Sequence, residues 1–186
     1  MAKVLITDSI LSDLASVIRA KNGSTATYTP SEMVSAISAM EIDNGDFEKL
    51  ITGSYSGSYI NSNISTIKSG AFQNTGLTFV SCINVSSIGD RAFYLCSKMT
   101  SVSFPNLTTL NGAYNFSNCA KLTAIDFPKY NVANSFDGSH AFDACGSLSI
   151  ATMASLQSFA ESFFANCTSL ASVSAPNCQK VGTYAF

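Results

Sequence analysis

Charge is scarce in this chain of 186 residues: Asp, Glu, Lys and Arg make up 12% of it, about half the usual share. The surface must therefore be built from Ser, Thr, Asn and Gly rather than from ion pairs. Ten Lys and Arg against twelve Asp and Glu leave a formal net charge of −2. The cations are scattered, which excludes a basic stripe for nucleic acid or acidic lipid. Histidine occurs once, at His140, and no Cys-x-x-Cys is present, so a zinc site has little to work with and no metal is expected. The chain lacks a Gly-rich phosphate loop and a Gly-x-Ser-x-Gly elbow, the backbone device that exposes a catalytic serine. A Ser-His-Asp set can be assembled only by pooling the many serines with His140 and Asp137 or Asp143. No enzyme and no cofactor are expected. Apolar runs fall far short of the ~20 residues of a membrane helix, so no membrane insertion is expected. The apolar tract near the N-terminus, around Val4, Leu5 and Ile6, is too short for a secretory signal core.

What the chain does have is a period. Phe72, Phe93, Phe116, Phe142, Phe164 and Phe186 follow one another at spacings of 21, 23, 26, 22 and 22 residues. Ala71, Ala92, Ala141 and Ala185 stand before four of them. Three residues after the Phe comes Cys96, Cys119, Cys145 or Cys167, and six after it Met99, Leu122, Leu148 or Leu170. A fixed period of this size is the mark of a repeat protein. Apolar residues at offsets 0, 3 and 5 then recur as Leu77, Val80 and Cys82; Met99, Val102 and Phe104; Leu122, Ile125 and Phe127; Leu148, Ala151 and Met153; and Leu170, Val173 and Ala175. The last two of each set alternate with outward positions, as a strand requires. One unit cannot bury its own Phe, Cys and Leu, so units must stack into a solenoid with a continuous core. Pro105, Pro128 and Pro176 follow the strands and can end them, since Pro has no N–H for the ladder. The fourth unit is lengthened around Asn131–His140, expected as a loop that leaves His140 exposed. The recurring cysteines read as reduced, small apolar core residues.

Residues 1–45 differ. Ile10, Leu11, Leu14, Val17 and Ile18 recur at helical spacing before Gly23, and Thr29-Pro30-Ser31-Glu32 has the form of a capped helix start. The expectation is a helical hairpin over 1–45, followed over 46–186 by five full units and a partial sixth. The stretches Ile18-Arg19-Ala20-Lys21-Asn22-Gly23, Thr29-Pro30, Glu32-Met33 and Ala36-Ile37 resemble a segment of tail and baseplate-associated proteins of phages and prophages of Gram-positive gut bacteria. That resemblance spans residues 7–40.

The wider pattern Ile-Gly-x-x-Ala-Phe-x-x-Cys-x-x-Leu-x-x-Val-x-Phe-Pro resembles the BspA-type (Treponema pallidum-type) leucine-rich repeat over about three quarters of the chain. The segment from Phe47 to Ile67 is similar to that family's opening segment. The resemblance implies an α/β fold: a leucine-rich-repeat solenoid with a parallel sheet of short strands on its concave face, preceded here by the hairpin. The concave face would carry Phe79, Ser81, Ser101, Ser103, Ala124, Asp126, Ile150, Thr152, Ser172 and Ser174, with Phe79 and Ile150 as apolar anchors. The expected function is non-catalytic recognition of a protein or glycan on a cell surface by a phage- or prophage-encoded chain, in the phage particle or cytoplasm as made. The alternatives are a cell-surface or secreted bacterial adhesin for host matrix proteins, and a structural spacer without ligand. Self-association through the hairpin or an open C-terminal edge is a further expectation.

Overall fold

Each coil turns the chain through two short strands and a tight corner centred on its Phe. The computed structural model describes residues 56–131 and 137–186. The strands are β1 (Ser56–Ile60), β2 (Thr66–Ile67), β3 (Gly76–Ser81), β4 (Ser87–Ile88), β5 (Ser101–Ser103), β6 (Thr109–Leu110), β7 (Ala124–Asp126), β8 (Ile150–Thr152), β9 (Ser158–Phe159), β10 (Ser172–Ser174) and β11 (Lys180–Val181). The longer strand of each coil pairs in parallel with its copy one coil on, β1-β3-β5 and then β7-β8-β10. The ladder is interrupted between β5 and β7, where the Thr123 N–H still donates to the Thr100 carbonyl at 3.3 Å. The shorter strands form a second wall, β2-β4-β6 and β9-β11.

The third wall has no regular secondary structure and is the most ordered in its bonding. The Phe N–H of each coil donates to the carbonyl of the residue preceding the next Phe. The bonds are Phe72 to Ala92 (2.8 Å), Phe93 to Asn115 (2.8 Å), Phe116 to Ala141 (2.8 Å), Phe142 to Phe163 (2.9 Å) and Phe164 to Ala185 (2.7 Å). The residues two before and two after the Phe make the same kind of bond, as in Arg91 to Ala113 and Leu95 to Ser117, both 3.0 Å. Those flanking residues sit in the left-handed region, from Ser162 at φ 50° to Leu95 at 63° among the non-glycines. The alternation aims every second N–H at the following coil, which satisfies backbone donors that a strand or helix would otherwise pair.

This corner corrects the expected fold class. Among the described residues there is no helix; the domain is a parallel β-solenoid, not α/β. The returns are too short for a helix to bond within itself, and their N–H groups are already used between coils. The expected hairpin of residues 1–45 lies outside the described residues.

Inside, the periodic residues stack on their copies. The Phe72, Phe93, Phe116 and Phe142 rings lie 5.3, 4.9 and 5.2 Å apart and within 10° of parallel. Leu77, Met99, Leu122 and Leu148 are fully buried, as are Val80, Cys82, Phe104, Phe127 and Met153. Stacked aromatics add about 0.5–1.5 kcal/mol per pair beyond their area, so the column ties neighbouring coils directly. Gly89, in the Ile-Gly part of the repeat, marks a close approach: a Cβ there would lie 2.5 Å from the Ser69 nitrogen of the preceding coil.

Neutral side chains do the bonding that charges do elsewhere. Thr100, Thr123 and Ser149 hydroxyls donate to Thr78, Thr100 and Thr123 carbonyls at 3.0, 3.3 and 3.1 Å. Asn84, Asn106 and Asn177 amides donate one coil back to Ser62, Ile83 and Ala154 at 2.7, 2.9 and 2.8 Å. The third unit's missing Ala is Asn115, buried, whose amide donates to the Gly89 and Asn111 carbonyls at 2.8 and 3.0 Å.

Candidate functional site

Strand alternation sends one residue in two outward, and register lines them into two rows across the longer strands. Ser58, Phe79 and Ser101 are partners in the first row, continued by Ala124, Ile150 and Ser172. Ile60, Ser81 and Ser103 are partners in the second, continued by Asp126, Thr152 and Ser174. All ten expected residues thus lie on one outward face. Ser101, Ala124, Asp126, Ile150, Ser172 and Ser174 are exposed; Phe79, Ser81, Ser103 and Thr152 are partly exposed. Ile150 is 52% exposed and Ile60, which sequence reasoning did not single out, 72%. Ile60 could have been found by carrying the alternation one strand further back.

The hydroxyls of this face differ from those that tie the coils together. The threonines and serines beside the strands are committed to carbonyls of the coil before. Among the described residues no hydrogen bond occupies the hydroxyls of Ser81, Ser101, Ser103, Thr152, Ser172 or Ser174. Asp126 is the one ionisable side chain of the two rows. The face is a near-neutral platform of hydroxyls with two apolar side chains in one row and a third, Ile60, at the end of the other.

His140 does not extend from a loop. It occupies the regular place two residues before Phe142, partly buried, its ring stacked on Tyr114 at 4.7 Å and 11°. Its Nδ1 lies 3.8 Å from the Asp143 carboxylate. Asp137 is buried and accepts from the Gly112 N–H at 3.0 Å. The pooled Ser-His-Asp set is not brought together: among the described residues no serine hydroxyl bonds to His140. Residues 132–136 of the lengthened unit lie outside the described residues.

The repeat cysteines are free thiols that pack in or against the core and also donate. Cys96, Cys119, Cys145 and Cys167 donate through Sγ to the carbonyls of Phe72, Phe93, Phe116 and Phe142, at 3.0, 3.3, 3.2 and 3.1 Å. Each of those carbonyls belongs to the Phe of the coil before. In the first unit Thr75 replaces the Cys, and its hydroxyl donates within its own coil, to the Phe72 carbonyl at 2.9 Å. Burial pushes all four thiols above the ordinary range, Cys167 up to about 11 and Cys145 further. They stay protonated at neutral pH, which a thiol donor requires and a nucleophile or metal ligand does not.

Comparisons with known proteins fit this architecture. A family model described as a BspA type leucine rich repeat region matches in six copies, over residues 37–98 and 65–186. A crystal structure of a leucine rich cell surface protein from Faecalibacterium prausnitzii is similar at TM-score 0.58 and 24% identity, over 73% of this chain. This chain spans 45% of that protein's length. The crystal structure of a T. pallidum leucine rich repeat protein is similar at TM-score 0.51 and 21% identity, over 67% of this chain and 72% of the other. No curated protein matches the chain.

Proposed function

The chain belongs to the BspA-type leucine-rich repeat family, and we propose that it is a non-catalytic recognition module whose outward sheet face binds a protein or glycan at a cell surface. The observation that carries this reading is the pair of registered rows, with hydroxyls unspent on the fold beside Phe79 and Ile150. Hydroxyls supply directional bonds to a polar partner, and two apolar side chains supply the desolvated area that gives binding its energy. The near absence of charge removes electrostatic steering, so association proceeds at an ordinary rate. Repeat solenoids use such extended faces for binding.

The F. prausnitzii neighbour is described as a cell surface protein; a surface location for this chain is part of the proposal. Adhesion to host matrix proteins and attachment to bacterial cells are the two forms it takes. A phage or prophage origin, suggested by the resemblance of residues 7–40, has no support in the comparisons, and the proposal does not use it. Self-association is a subsidiary reading, checked by sedimentation velocity.

The test is binding of labelled full-length protein to intact Gram-positive gut bacteria, beside immobilised fibronectin and fibrinogen. Replacing Phe79→Ala, Asp126→Ala and Ile150→Ser together should weaken binding by more than about tenfold, or 1.4 kcal/mol, with the circular dichroism unchanged. Binding to bacteria alone favours the bacterial receptor; binding to the matrix proteins favours the adhesin. Binding that survives the triple variant refutes the face, and no binding to any surface favours the spacer.

A further inference from the structure

The coils are not joined equally along the longer strands. At the start of each strand an N–H donates to its copy in the coil before. Thr100 reaches Thr78 at 2.8 Å, Ser149 reaches Thr123 at 2.9 Å and Ala171 reaches Ser149 at 3.0 Å, but Thr123 reaches Thr100 only at 3.3 Å. The hydroxyls that repeat this bond are longest at the same step, 3.3 Å from Thr123 against 3.0 Å from Thr100 and 3.1 Å from Ser149. At the end of the strand an N–H donates forward. Cys82 reaches Ser103 at 3.1 Å, Phe127 reaches Thr152 at 2.8 Å and Met153 reaches Ser174 at 2.8 Å. Phe104 stands at the same place and makes no such bond to Asp126 among the described residues. Phe104 is fully buried, and a buried backbone donor is ordinarily paired. Pairing this one with the Asp126 carbonyl requires β5 and β7 to draw together.

The turn after the strand changes at the same step. Asn84, Asn106 and Asn177 tie their turns to a carbonyl of the coil before. Lys129 occupies that place after β7 and reaches the exposed side chain of Asn106 instead, at 2.6 Å. Among the described residues, β6 also ends its sheet here. The corner wall does the opposite. Tyr114 bonds to Ser139, Phe116 to Ala141 and Asn118 to Asp143 at 2.9, 2.8 and 2.8 Å, and the Phe116 and Phe142 rings lie within 3° of parallel. One wall of this step is fully bonded and the sheet opposite it is not, which is the layout of a hinge with the corner as its axis. Segments with few backbone bonds open at the lowest cost. The two apolar side chains of the face stand on opposite sides of the step, Phe79 in β3 and Ile150 in β8, each one strand away.

We propose that the step between β5 and β7 is a hinge that sets the separation of Phe79 and Ile150, and that a partner engaging both side chains closes it. The hinge stands on the backbone bonds alone; its closure by a partner rests on the sheet-face reading. A partner that binds the closed form better shifts the population toward it, and so can be recognised by a face whose curvature adapts.

The experiment measures amide hydrogen exchange of the full-length protein by NMR. Phe104 and Thr123 should exchange at least about tenfold faster than Thr100, Phe127 and Ser149. A double variant, Ser101→Cys with Ala124→Cys, places thiols on the two strands of the step, where neighbouring strands lie within disulfide reach. Oxidation should slow Phe104 and Thr123 to the rates of their copies. The oxidised variant should also bind the bacterial or matrix surface that the unmodified protein binds at least about threefold more tightly than its reduced form, because the closed face is preorganised. Equal exchange at all steps overturns the hinge, as does a disulfide that leaves Phe104 and Thr123 fast. Weaker or equal binding by the oxidised form overturns closure by the partner. Absence of binding by the unmodified protein removes the sheet-face reading and closure with it, while the exchange rates still decide the hinge.

Discussion

Cys119 separates two accounts of the repeat cysteine. If it is a small apolar filler, alanine should replace it better than serine does. If it is a donor, the order reverses. Its sulfur is fully buried and donates to the Phe93 carbonyl at 3.3 Å. That carbonyl keeps a second partner, the Cys96 N–H at 3.2 Å, so removing the thiol does not orphan it. Cys119→Ala removes a sulfur from a closed site, costing about 1–1.5 kcal/mol in transfer and cavity terms. It also removes a weak donor, costing about 0.5–1 kcal/mol more. The sum is roughly 2 kcal/mol, or ~4–8 °C in a domain of this size. Cys119→Ser keeps a hydroxyl donor close to the Phe93 carbonyl and should lose about half as much. The assay is urea unfolding followed by circular dichroism, with the slope m compared to confirm that the same surface is exposed. An alanine variant as stable as the serine variant would refute the donor account.

Gly89→Ala should cost more than about 3 kcal/mol, since its Cβ would meet backbone of the preceding coil at 2.5 Å. Gly146→Ala, whose Cβ would meet only the Thr168 hydroxyl at 3.9 Å, should be near neutral, and the pair is compared by thermal melts. Stability should be level below pH 9 and fall as pH rises above it: burial raises the Cys167 thiol from 9.0 to about 11, so the native state holds its proton more tightly than the unfolded chain does. Alkaline urea titration checks this, and Cys167→Ser should flatten the loss. At neutral pH, Cys96, Cys119 and Cys145 should react with a thiol reagent only after unfolding, as quantitative labelling would show; rapid labelling of the native protein contradicts their place in the core.

What could be read from the residues follows from where periodicity carries information. The Phe column, the offsets 0, 3 and 5 and the outward rows are legible because identical burial at each coil selects the same residue type each time. The lengthened fourth unit is legible as extra residues. The helix-free fold class is not, because the corner's conformation is set by bonds between coils and leaves no period of 3.6 to read. The corner residues Arg91 and Leu95 take left-handed backbone, for which the hydrophobic offsets carry no mark. Asn74, Asn118 and Asn166, at the same place in three of five coils, were a signal of that backbone that hydrophobic pattern reasoning passes over. The repeat cysteines are the free core residues the sequence led one to expect; their bond to the carbonyl of the coil before is an added task that residue type alone does not announce. The Arg91–Tyr114–His140 stack was missed for a related reason. Its members share a position but no chemistry, and a search for recurring residue types cannot see a stack made of different ones in register.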